Sequence, residues 1–104
     1  MIVRFNNLYL QKLFEDKPVV GKPQYNADII LKFKKTILKL QYSNDTSELR
    51  KFKGLNFEAL KGNLKGYYSV RVDIKYRLIM RVEKEVIIEI TDIIIIEDLS
   101  KHYE

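Results

Sequence analysis

Arg71 and Arg77 carry the clearest chemical signal in this chain. They sit in two runs of alternating apolar and polar residues, 67–72 and 76–82, separated by Asp73-Ile74-Lys75. Read as a hairpin with Val72 opposite Tyr76, these runs set Arg71 against Arg77, Ser69 against Ile79 and Tyr67 against Arg81. Tyr68, Val70, Val72, Tyr76, Leu78 and Met80 then share a core face, and Tyr67, Ser69, Arg71, Arg77, Ile79 and Arg81 share the other. Like charges directly opposite on a sheet repel by up to about 1 kcal/mol. A sequence tolerates that more readily where an anion normally sits between them. A solvated face whose cations are screened by salt fits the same pattern, and the pattern alone leaves both readings open.

The rest of the inventory narrows the chemistry. There is no cysteine, which excludes a disulfide framework, a thiolate zinc site and a cysteine nucleophile, and suits a reducing compartment. The single histidine is His102, and the carboxylates show no ligand spacing, so no metal and no cofactor is expected. A formal charge of +5 favours a polyanionic partner. Lys32, Lys34, Lys35, Lys39, Arg50, Lys51 and Lys53 place much of that charge away from the arginine face. They suit either a polyanionic partner or a solubilising helix surface.

These residues need elements to hold them. The 104 residues, 46% hydrophobic and 32% charged, describe one ordinary globular domain spanning 1–104. Ile2–Phe5 reads as an opening strand. Asn6 or Asn7 can cap a helix striped by Leu10, Leu13 and Phe14, and Asn26 can cap a longer one striped by Ile30, Phe33, Ile37 and Leu40. Asn44-Asp45-Thr46 ends that helix and introduces a single turn containing Leu49. From Phe57 the period changes to two. The apolar, β-branched segment 86–96 reads as a last strand with a break at Thr91-Asp92, and 97–104 reads as a tail. Apolar runs are far too short for a spanning helix of about 20 residues, and a cytoplasmic protein with no membrane partner is expected.

One segment is recognisable. Leu55-Asn56-Phe57-Glu58-Ala59-Leu60-Lys61-Gly62-Asn63-Leu64-Lys65-Gly66, followed by Tyr67-Tyr68-Ser69-Val70-Arg71-Val72-Asp73-Ile74-Lys75-Tyr76-Arg77-Leu78, resembles the RelE/ParE toxin superfamily, and its HigB branch most of all. The shared pattern is a leucine-lysine-glycine turn, a Ser-Val-Arg-Val strand, a polar turn and an aromatic-arginine-aliphatic strand. The opening strand, the two early helices and the late His102-Tyr103 pair fit the same plan. The resemblance implies an α+β, microbial RNase-like fold, with two N-terminal helices packed on a twisted, mainly antiparallel sheet. It also implies a type II toxin that enters the ribosomal A site and cleaves mRNA, and an antitoxin that blocks it.

Metal-free RNA cleavage needs a base for the 2′-hydroxyl, a cation for the phosphoryl oxygens and an acid for the departing 5′-oxygen. By resemblance Arg77, then Arg71, stabilises the phosphate. Lys61 contacts it or moves a proton, and His102 and Tyr103 are the remaining proton-transfer candidates. Arg81, Lys65, Tyr67, Lys53 and Lys35 are the expected RNA contacts, with mRNA, 16S rRNA and a cognate antitoxin as partners. Better-studied HigB-like members carry a histidine where Glu58 stands, so Glu58 either replaces that base or is a solvated strand residue. Two other functions share the pattern: a ParE-like inhibitor of DNA gyrase, and an RNA- or ribosome-binding domain without catalysis.

Overall fold

Asparagine starts both long helices. Asn7 Oδ1 accepts the Leu10 amide at 3.1 Å before α1 (Leu8–Phe14), and Asn26 Oδ1 accepts the Ile29 amide at 2.9 Å before α2 (Ala27–Tyr42). Asp45 caps the single turn α3 (Thr46–Leu49) in the same way. The computed structural model describes residues 1–86 and 89–101. The strands are β1 (Ile2–Phe5), β2 (Glu58–Ala59), β3 (Tyr68–Arg71), β4 (Tyr76–Val86) and β5 (Ile90–Lys101).

The strands form one sheet in the order β1-β5-β4-β3-β2, with β1 parallel to β5 and every other pair antiparallel. This is the expected α+β arrangement. Leu10, Ile29, Phe33, Ile37, Leu40 and Leu49 from the helices meet Val70, Leu78, Met80, Ile94, Ile96 and Leu99 from the sheet, all essentially buried. The helices therefore cover one face and leave the other open. Among the described residues no helix is long and apolar enough to cross a membrane.

The hairpin register is the one the alternation predicts: Arg71 pairs with Arg77, Val70 with Leu78, Ser69 with Ile79 and Tyr68 with Met80. Its turn is fixed by Asp73, whose Oδ1 accepts the amides of Lys75 and Tyr76 at 2.8 and 2.7 Å.

Three expectations need correction. The buried stripe of α2 begins at Ile29, while Ile30 is only half-buried. The segment 86–96 is not one strand, because β4 runs to Val86 and β5 begins at Ile90 with Val86 and Ile90 paired. Thr91 and Asp92 do not break it. Asp92 is 6% exposed and fixed by Lys84 and Thr46, so it is a packed strand residue. Nor is 97–101 a tail, since β5 continues to Lys101 opposite Tyr76. What carries it on is a bulge: Ile79 pairs with Asp98 but Met80 pairs with Ile96, leaving Glu97 as the extra residue. The extra residue shifts the alternation by one, so Ile94, Ile96 and Leu99 all reach the helices.

Candidate functional site

The open face of the sheet carries four arginines in very different surroundings. Arg4 donates to Glu85 at 2.6 Å. Arg81 donates through Nε to Glu97 at 3.1 Å and through Nη1 to Glu83 at 2.9 Å. The bulge at Glu97 delivers its carboxylate there, and the same group accepts Asn6 Nδ2 at 2.9 Å. Glu97 and Glu83 hold Arg81 more firmly protonated than an ordinary arginine, with the Glu97 hydrogen bond the main cause. Its charge is thus neutralised within the chain.

Arg77 is the buried one, 6% exposed. Nε donates to Ser69 Oγ at 2.9 Å, and Nη2 donates to the Asn56 carbonyl at 3.1 Å and lies 3.0 Å from Glu58 Oε1. Those partners follow from the local chain. Asn56 takes a left-handed conformation (φ 47°), which asparagine tolerates better than most residues. That turn ends the 3-10 segment Lys53–Leu55 and leads into β2, where Glu58 pairs with Ser69. Phe57 anchors the segment in the core, stacked on Tyr68 at 5.3 Å with Arg50 over its ring at 5.1 Å. Among the described residues Arg77 Nη1 has no partner. The Glu58 carboxylate is 47% exposed, so it faces both Arg77 and solvent.

Arg71 lies directly opposite Arg77 and is exposed, with no carboxylate partner among the described residues. Lys61 and Lys65 flank the 3-10 turn Gly62–Leu64 and are also exposed. Tyr67, half-buried, follows that turn, with its amide bonded to the Leu64 carbonyl at 3.0 Å. The turn stands at the other end of β3 from Arg71. Tyr67 and Arg71 are four residue steps apart, about 13 Å at roughly 3.3 Å per step. The result is a strip with free cations at its two ends and the Glu58–Arg77–Ser69 group between them.

The remaining expected residues fall elsewhere. Lys35 is exposed on α2, on the side turned away from the sheet, and Lys53 is exposed in the 3-10 segment before Asn56. His102 and Tyr103 lie outside the described residues. β5 ends beside the strip, since Lys101 pairs with Tyr76 and Ser100 with Arg77. Tyr25 pins that end: its hydroxyl donates to the Leu99 carbonyl at 2.7 Å and its ring meets Tyr76 edge-on at 5.8 Å. Burial, reinforced by Asp98, pushes the Tyr25 hydroxyl up to about 12, so it stays a proton donor at neutral pH. Glu58 is the functional residue that the sequence left between a base and a solvated strand residue. Its one signal was its place, where the family that the sequence resembles carries a histidine.

Fold and site together define a class: small α+β proteins with a mainly antiparallel sheet, helices on one face and arginines on the other. The YoeB/ParE toxin from Agrobacterium tumefaciens is similar in fold, with a TM-score of 0.58 and 19% identity, over 99% of this chain and 100% of that one. The family described as RelE-like toxin of type II toxin-antitoxin system HigB matches residues 3–93, and the chain belongs to that family. No curated protein matches it.

Proposed function

We propose that this type II toxin is a ribosome-dependent endoribonuclease that cuts mRNA in the A site without a metal, in the cytoplasm. RelE/HigB-like toxins are typically endoribonucleases. The observation that carries the reading here is the exposed side of Glu58, held 3.0 Å from buried Arg77 on the same face as unpaired Arg71. Glu58 takes the proton of the 2′-hydroxyl, and O2′ bonds to the adjacent phosphorus. Arg71 and the free Nη1 of Arg77 stabilise the charge that grows on the phosphoryl oxygens. The bond from phosphorus to the 5′-oxygen breaks, and His102 or Tyr103 supplies that oxygen's proton. The products are a 2′,3′-cyclic phosphate and a 5′-hydroxyl.

The grip on RNA falls to cations without internal partners: Lys61 and Lys65 at the turn, with Tyr67 offering a ring to stack on, and Lys35 and Lys53 for 16S rRNA. Arg81 contributes less, because a phosphate there must displace two carboxylates. End-group analysis of mRNA on programmed ribosomes tests the chemistry. Cyclic phosphate ends are expected from the wild type, and ends bearing a 3′-hydroxyl would overturn the mechanism.

A further inference from the structure

Behind the sheet, Phe57 and Tyr68 join Thr46, Arg50, Val82 and Lys84 in lining a cavity of about 270 Å³. Tyr68 and Val82 pack toward the helix-side core, so the sheet lies between this cavity and the face of Arg71, Arg77 and Glu58. The lining residues are not equally committed. Lys84 Nζ donates to Asp92 Oδ1 at 2.6 Å, and the Thr46 hydroxyl donates to Oδ2 of the same carboxylate at 3.2 Å. Their polar groups already serve the fold. Arg50 is different. It is exposed, its guanidinium 5.1 Å from the Phe57 ring centre, and it has no carboxylate partner among the described residues. Phe57 is stacked on Tyr68 with the rings 9° from parallel. The cavity thus joins a parallel aromatic pair, an aliphatic valine and a single uncompensated cation.

Those groups set what fits. Drug-sized ligands occupy about 300–1,000 Å³, so this cavity admits one small ring system with a short arm. An aromatic wall takes a planar ring, and stacking a base on such side chains is worth about 1–3 kcal/mol. A guanidinium takes a phosphate through two parallel donors. An uncharged ring leaves Arg50 unused, and an inorganic anion leaves the aromatic wall unused. An acidic side chain of a peptide meets Arg50 but brings no ring. A base with one phosphate uses both.

We propose that this cavity is a second ligand site, which takes a nucleoside 5′-monophosphate with its base against Tyr68 and Val82 and its phosphate on Arg50. The site is wired to the open face by the chain itself. Phe57 precedes Glu58, Tyr68 precedes Ser69, and Glu58 and Ser69 pair across β2 and β3. A base that shifts Phe57 or Tyr68 therefore shifts the two residues that hold Arg77 in place. An effect on cleavage rests on the reading of the open face as the cleavage site, but binding does not. The same chemistry is offered by a free nucleotide and by an unstacked nucleotide at the 5′ end of an RNA strand.

The test titrates the full-length, isotope-labelled protein with AMP, adenosine, inorganic phosphate and 5′-phosphorylated ApA, and follows its amide signals by NMR. AMP should move Thr46, Phe57, Tyr68 and Val82 in a saturable way, with adenosine and phosphate at least tenfold weaker. Arg50→Gln should weaken AMP at least tenfold and Arg50→Lys by less, while Arg71→Ala holds it within twofold. The same spectra show that each variant is folded. Tighter binding of the dinucleotide would identify RNA as the source, and weaker binding a free nucleotide. No saturable shift with either, or equal AMP affinity in Arg50→Gln, would overturn the inference. So would loss of AMP binding in Arg71→Ala, which places the nucleotide on the open face, or phosphate binding as tightly as AMP, which leaves a bare anion contact. Binding is read without mRNA cleavage, so failure of the nuclease reading leaves this result interpretable.

Discussion

Arg71 and Arg77 share one rung of the hairpin, yet their surroundings predict opposite behaviour on substitution. Arg71 is exposed and unpaired, so Arg71→Ala should leave unfolding free energy within about 0.5 kcal/mol while lowering mRNA cleavage by about 10²–10³-fold. Arg77 supports Ser69, the Asn56 carbonyl and Glu58 at once. Arg77→Lys keeps the charge but loses the fork, and should cost about 1–3 kcal/mol in denaturant melts as buried partners go unsatisfied. Loss of cleavage in that variant would mix chemistry with folding. Glu58→Gln separates them: the amide oxygen can still accept from Arg77, so stability should change by less than about 1 kcal/mol. Cleavage should fall by about 10²–10⁴-fold if the carboxylate is the base. The sequence shows that Arg71 and Arg77 face each other, because alternation and an Asp-bearing turn set the register. It does not show that Arg77 is buried, because its cover comes from a two-residue strand and one left-handed asparagine, too short to leave a periodic signal.

At the scale of elements, helix starts and the β3–β4 hairpin are legible because each rests on a local device: an asparagine cap, an aspartate turn, a period of two. The β4–β5 connection is not. Between Val86 and Ile90 the sequence offers no glycine, proline, asparagine or aspartate, so a mostly β-branched run interrupted only by Glu89 hides the change of direction. Asp92 draws the break toward itself on composition alone. In the fold it ties three elements, accepting Lys84 Nζ at 2.6 Å and the Thr46 amide at 3.0 Å. Those contacts, the Lys84 hydrogen bond foremost, hold its carboxyl below the usual aspartate range. A folded-state pKa below the unfolded one, about 3.9, contributes stability that is present above that value and lost as pH falls through the folded pKa. Thermal melts should therefore show stability dropping below about pH 4. Asp92→Asn should flatten that acid limb and cost about 1–3 kcal/mol at neutral pH. An unchanged acid limb would mean that Asp92 does not anchor α3 to the sheet.

For the whole molecule, the formal charge of +5 indicates a basic protein without indicating where it is basic. Three of the four arginines on the open face are ion-paired within the chain. The open face is a largely neutralised sheet with free charge at Arg71, Lys61 and Lys65. Net charge can be read from composition, but pairing across strands depends on a register that a bulge shifts by one residue. The remaining free cations, among them Lys35 and Lys53, lie on helix and connecting segments. Binding to ribosomes should accordingly weaken steeply with salt. Replacing Lys35 or Lys53 by glutamine should lower the slope of log affinity against log salt by about one each if both contact phosphates.

Primer extension on an mRNA translated in vitro would read out the proposed cleavage on the ribosome by groups of the open face. Wild-type protein should cut at A-site codons only when ribosomes are present, and the cuts should vanish in Arg71→Ala, a variant that stays folded. Absence of cuts with wild-type protein would rule out the nuclease, and equal cutting by Arg71→Ala would remove Arg71 from its chemistry.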